Sequence, residues 1–125
     1  MNRLIIAAHG SRKKESNLEV AALAKALSSK LSHVVGQVEY AFLQFSPPLL
    51  ADALDKLVAE GARHIIVFPF FIGRGSHIML DIPDCVNTCR EKYPDVSIEI
   101  TPHLGSLPAV QDVIAGEVLS FLPQK

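Results

Sequence analysis

The chain has 125 residues, of which 49% are hydrophobic, enough to bury one core and too few to suggest two domains, so a single domain over 1–125 is expected. Twelve Lys and Arg against thirteen Asp and Glu give a formal net charge of -1, with no basic surplus for gripping a phosphate backbone. Nucleic acid is therefore excluded as an expected partner. No apolar run reaches the length of a membrane span, and the opening MNRLIIAAHG is too short and too soon interrupted for a signal peptide, so a cytoplasmic protein is expected.

Residues 3 to 8 read as a first strand, and His9, Gly10, Ser11 and Arg12 as the loop that follows. Leu18, Val20, Ala21, Ala24, Leu27 and Leu31 then keep one face of a helix apolar, from Lys14 or Glu15 to about Ser32. From Val38 to Phe45 the pattern alternates. Val38, Tyr40 and Phe42 point to one face, and Glu39, Ala41 and Leu43 to the other. Ser46, Pro47 and Pro48 predict a capped helix start, and Gly61 its end.

The run Ile65 to Phe71 has no polar alternation and reads as a strand buried on both faces. It breaks into Gly73, Arg74, Gly75 and Ser76, followed at once by His77. Asp81, Ile82 and Pro83 mark a break or an N-terminal turn before a helix from about Asp84 to Lys92. Val96 to Thr101 reads as a fourth strand, Pro102 to Gly105 as its exit loop, and Ser106 as the cap of a last helix. Val110, Val113, Ile114, Val118 and Leu119 are the apolar positions of that helix.

Four strands alternating with four helices, joined by connections too long for hairpins, predict an α/β fold. Its parallel four-stranded sheet has the order 2-1-3-4, with helices on both faces. In that order the connections reverse between strands 1 and 3, where open sheets bind ligands beyond the strand carboxyl ends. Those strands deliver His9 and His77.

Neutral imidazole ligates divalent first-row metals and exchanges protons near ambient pH, so the pair suits an open metal site. Ser11 and Arg12 at one helix start, and Arg74 and Ser76 in the other loop, suit an anionic ligand. His33, at a helix end, and His64, at the opposite sheet edge, read as structural. His103 lies at the carboxyl end of strand four and can reach the crevice edge. Cys85 and Cys89 read as small buried hydrophobes rather than a redox pair.

Several segments together resemble the small, short-form sirohydrochlorin chelatases of the CbiX and SirB type, class II chelatases. They are Ala8 to Arg12, Ala41-Phe42-Leu43 followed by Pro47 or Pro48, Pro69-Phe70-Phe71 leading to Gly75 and His77, Asp81-Ile82-Pro83, and Leu104-Gly105. The resemblance implies a chelatase-like, flavodoxin-like three-layer fold and insertion of a divalent metal, Co2+ first, Fe2+ or Ni2+ otherwise, into a tetrapyrrole of cobalamin or siroheme biosynthesis. The metal is then substrate, and no permanently bound cofactor is implied. His9 and His77 would bind it and accept the pyrrole protons, while Ser11, Arg12, Gln44, Arg74 and Ser76 would meet the ring's carboxylates.

The resemblance also implies a homodimer. Many relatives carry an acid where this chain has Gln44, and an amide orients a ligand without taking a proton. A non-catalytic tetrapyrrole or metal carrier of the same fold is the alternative reading.

Overall fold

The computed structural model describes residues 2–73 and 76–123, with side chains described for all of these except 76–79. The elements run β1 (Asn2–Ala8), α1 (Lys14–Lys30), β2 (Glu39–Phe42), α2 (Leu50–Ala59), β3 (His64–Pro69), α3 (Ser76–Lys92), β4 (Ser97–Ile100), a 3-10 turn (Leu104–Ser106) and α4 (Pro108–Ser120). Every strand pair is parallel, and the order is β2-β1-β3-β4, as the alternation of strands and helices predicts.

Central strand β1 explains the layering. Leu4 to Ala8 are all buried, and alternate residues serve two cores. Ile5 and Ala7 join Ile65 and Val67 under α2 and α3, whereas Leu4, Ile6 and Ala8 meet Val20 and Ala24 of α1. The expected two faces of β2 are both present: Val38, Tyr40 and Phe42 pack on the α1 side, Ala41 and Leu43 on the other.

Helix α2 buries Leu50, Ala53, Leu54 and Leu57, an i, i+3, i+4, i+7 stripe in which each fully buried leucine contributes about 1.5–3 kcal/mol. It ends as predicted at Gly61. With φ at +95°, Gly61 donates its N–H to the Val58 carbonyl while Ala62 donates to Leu57, the paired bonds of a Schellman cap.

Three expectations fail for identifiable reasons. Ser46 does not cap α2: the helix begins three residues after Pro47, with Leu49 at the cap and no side-chain bond to the free amides. Ser106 does not cap α4, because its hydroxyl donates to the His103 carbonyl and Pro108 opens the helix behind Leu107. Asp81-Ile82-Pro83 is no break.

Helix α3 already runs from Ser76 and carries Pro83 inside it. Proline removes one ladder donor at a cost of about 3 kcal/mol, which buried Ile82 and Val86 on either side offset by packing into the core.

Cys85 and Cys89 take the expected place. Cys89 is buried in the core under α2 and α3, and Cys85 packs against it. Burial pushes both thiols up, seconded at Cys85 by its neighbour Cys89 and at Cys89 by the Asp55 carboxylate. A raised thiol is less ionised at a given pH, and the thiolate is the nucleophile. Both cysteines should therefore alkylate with iodoacetamide more slowly at pH 8 in the folded chain than in urea, with the folded rate climbing at higher pH. Mass spectrometry of each site against time reads the result.

Candidate functional site

The carboxyl ends of all four strands share one edge, and pairing continues past the strands at that edge. Leu43 donates to the Ala8 carbonyl, Gln44 to His9, and Phe70 to Ala7, so the loops after β1, β2 and β3 leave side by side. His9 projects there with its imidazole exposed. The position follows from register, since Ala8 is the last paired residue of β1, opposite Phe42.

Gln44 is held against His9 in two ways. Its backbone carbonyl lies where a Cβ on Gly10 would sit, at 1.9 Å, and the same oxygen accepts the Ser46 N–H at 2.9 Å. Phe45 between them has φ of +69°, a three-residue turn with a strained, left-handed centre, the kind of backbone outlier that gathers at functional sites. The side-chain nitrogen of Gln44 lies 2.9 Å from His9 Nδ1.

That contact decides what the imidazole can do. With the amide N–H donating to Nδ1, the ring proton sits on Nε2. With the amide turned over, its oxygen accepts from Nδ1–H and Nε2 keeps a free lone pair. Only the second arrangement leaves Nε2 ready to ligate a metal or accept a proton.

The loop after His9 is tied to α1 by hydrogen bonds. Asn17, in α1, accepts the Ser11 N–H at 3.1 Å and donates to the Ser11 carbonyl at 2.8 Å, and Ser11 Oγ accepts the Lys13 N–H. Ser11 thus spends its amide and one hydroxyl lone pair within the chain. Arg12 is exposed, with its guanidinium 4.7 Å from the Phe45 ring centroid, a cation-π contact worth about 0.5–1 kcal/mol at the surface.

Sequence reading missed Asn17, Phe45 and the close approach at Gly10. Asn17 looks like any polar first-turn residue, and nothing in a bulky phenylalanine signals a positive φ. Gly10 was legible as a turn, though not as a contact.

The second loop is described in part. Helix α3 opens at Ser76, so the backbone of His77 lies in its first turn at the same sheet edge, while the side chains of Ser76 and His77 fall outside the described residues, as does Arg74 altogether. Among the described residues no three His, Cys, Asp or Glu side chains gather to hold a metal. His103 is buried, 8% exposed, at the head of the 3-10 turn. His64 sits at the amino-terminal edge as expected, where its two ring nitrogens lie 2.8 Å from Asn2 Oδ1 and Glu99 Oε2. His33 lies in the exposed turn beyond α1.

Comparison with known proteins adds a family match. The family model described as CbiX matches residues 3–120. The chain is 33% identical over 111 residues to a chloroplastic sirohydrochlorin ferrochelatase of Arabidopsis thaliana, a match that covers 89% of this chain and 48% of that protein. It is 32% identical over 93 residues to a sirohydrochlorin cobaltochelatase of Methanococcus aeolicus, covering 73% of this chain and 64% of the relative. Among solved structures, SirB from Bacillus subtilis with Fe3+ superposes with a TM-score of 0.83 at 25% identity, over 98% of this chain and 48% of that one. The chain thus spans about half to two thirds of the length of these relatives.

Proposed function

The chain belongs to the CbiX family, and from that premise we propose that it inserts a divalent metal, Co2+ in the first place and Fe2+ or Ni2+ otherwise, into sirohydrochlorin in the cytoplasm. The observation that carries the reading is an exposed imidazole, His9, at the carboxyl end of the central strand with its Nδ1 held by Gln44. Metal entry displaces two pyrrole protons, so the site needs a base that titrates near ambient pH and a ligand that releases the ion again. Imidazole with open coordination positions meets both needs.

His77 is the second proposed ligand and base, in the first turn of α3 at the same edge. Arg12, with Ser11, Gln44, Arg74 and Ser76, is assigned to the carboxylates of the ring, for which an exposed guanidinium on an aromatic face is suited. Residues 1–125 act as one domain. Because the chain spans about half the length of SirB, two copies are assigned to one working unit, a homodimer around a common cleft.

Gln44 favours a second reading, a carrier that binds the ring or the metal without joining them, since an amide brings neither charge nor a base to His9. Anaerobic mixing of the protein with sirohydrochlorin and Co2+, Fe2+ or Ni2+, followed by absorbance, separates the two. Insertion predicts a metallated spectrum forming faster than in buffer, fastest with Co2+. A ring that binds, shifts its spectrum and then metallates at the buffer rate identifies the carrier.

A further inference from the structure

The stretch that carries His9 and Arg12 is held unevenly. His9 is fastened to the loop after β2: the Ala8 carbonyl accepts the Leu43 N–H at 3.1 Å, the His9 carbonyl accepts the Gln44 N–H at 3.2 Å, and Nδ1 lies 2.9 Å from the Gln44 amide. Beyond His9 that pairing is spent. Among the described residues, Gly10, Ser11 and Arg12 make no backbone-to-backbone hydrogen bond.

One side chain holds them instead. Asn17, in the first turn of α1, accepts the Ser11 N–H on Oδ1 at 3.1 Å and donates from Nδ2 to the Ser11 carbonyl at 2.8 Å. A carboxamide sets a donor and an acceptor side by side, whereas a carboxylate only accepts and a hydroxyl offers a single atom. Ser11 Oγ in turn accepts the Lys13 N–H at 3.0 Å, so the clamp reaches the backbone on both sides of Arg12.

Arg12 needs that clamp. Its guanidinium is exposed and rests on the Phe45 ring at 4.7 Å, a weak contact at the surface. A long side chain lying on one aromatic face stays aimed only if its backbone is fixed, because its rotamer entropy works against any single pose.

We infer that Asn17 is a positioning residue for tetrapyrrole binding: by clamping the Ser11 backbone it presents the Arg12 guanidinium to a ring carboxylate. The ring and the role of Arg12 come from the reading above, on which this assignment rests. Asn17 acts on ring affinity and not on the insertion step, since its carboxamide holds the residues after Gly10 while His9 keeps its place through Leu43 and Gln44.

The test is a double-mutant cycle between Asn17→Ala and Arg12→Ala on the full chain. Fluorescence titration of metal-free sirohydrochlorin gives Kd, and anaerobic turnover with Co2+ gives kcat and KM. Arg12→Ala should weaken ring binding by about 10–100-fold, the worth of a charge-assisted hydrogen bond, and Asn17→Ala by about 5–10-fold. In the Arg12→Ala background the Asn17 change should cost nothing further, because the two side chains act as one unit. KM should rise with Kd, while kcat stays within about threefold of the parent. Alanine is the better helix former and Asn17 lies outside both core clusters, so the variant should fold, which a urea midpoint checks.

A second readout needs no ligand. Arg12, Lys13 and Lys14 follow one another in an exposed segment, a run that trypsin cuts once the backbone opens. Loss of the clamp should speed nicking there, read by mass spectrometry at a dose that leaves the parent intact. Unchanged ring affinity in Asn17→Ala overturns the inference, and so do equal losses in both Arg12 backgrounds, a kcat that falls as far as KM rises, or nicking no faster than in the parent. A parent that binds the ring yet metallates it at the buffer rate removes the chelatase reading alone, and the cycle in Kd still decides the role of Asn17. A parent that metallates while Asn17→Ala binds the ring as tightly removes the clamp alone.

Discussion

Replacing His9 with alanine is expected to slow metal insertion into sirohydrochlorin by about 10²–10⁴-fold, the usual contribution of a positioned acid–base group, while leaving the fold intact. The fold should survive because the imidazole is exposed, and among the described residues its ring hydrogen-bonds to Gln44 alone. Its backbone carbonyl still accepts the Gln44 N–H, so the pairing of the two loops stays. The companion change Gln44→Glu should move the rate the other way. A carboxylate can only accept, which places the ring proton on Nδ1, frees Nε2 and strengthens the imidazole as a ligand, and such supporting groups are worth about 10–100-fold in metal affinity or activity.

Stopped-flow absorbance under anaerobic conditions at several metal concentrations checks both variants. A His9→Ala protein that metallates as fast as its parent removes His9 from the chemistry. If Gln44→Glu leaves rate and metal affinity unchanged, the amide is already turned with its oxygen toward Nδ1.

The sheet was legible because its signals are redundant. In β1, Leu4 to Ala8 form an unbroken apolar run that only a strand covered on both faces can use, and Gly61 and the α2 stripe agree on where that helix stops. Strand order followed from connection lengths and handedness rather than from any one residue. The site was half legible for a related reason. That His9 faces the crevice depends on strand register, which period-2 alternation encodes.

Whether Gln44 meets His9 depends on a positive φ at Phe45 and a bare Cα at Gly10, which leave no mark on hydrophobic pattern. Pro83 misled because proline as a helix breaker is a local rule, and the burial of Ile82 and Val86 overrides it. Helix α4 reads as amphipathic in the sequence, yet it buries no residue, and periodicity alone cannot say what covers its apolar positions.

The largest loss of stability is expected at Gly10. An alanine there would place its Cβ 1.9 Å from the Gln44 carbonyl oxygen, 3.0 Å from the carbon of that carbonyl and 3.2 Å from Phe42 Cβ, with φ at +94°. Two costs therefore act together. Left-handed backbone costs an L residue about 1–2 kcal/mol, and forcing extra volume into a packed contact about 1–3 kcal/mol. The obstacle is backbone, so no rotamer change relieves it.

Two other glycines separate the terms. Gly61 has nearly the same φ, +95°, with nothing within 4 Å of its would-be Cβ, so Gly61→Ala should show the backbone cost alone. Gly105 has no positive φ but would meet the Ile72 carbonyl oxygen at 1.7 Å, so Gly105→Ala should show the steric cost alone. Urea midpoints at constant m-value should then fall least for one of these single-cause variants and most for Gly10→Ala, whose loss approaches the sum of the other two.

A Gly10→Ala protein as stable as Gly61→Ala would mean that the β1 and β2 loops can part at little cost. It would also mean that the contact between Gln44 and His9 is not enforced by the backbone. In that event the His9 tautomer is set by solvent, and the effect of Gln44→Glu on metal insertion should vanish with it. The stability of one glycine variant and the rate of one glutamate variant are thus two readings of the same close approach.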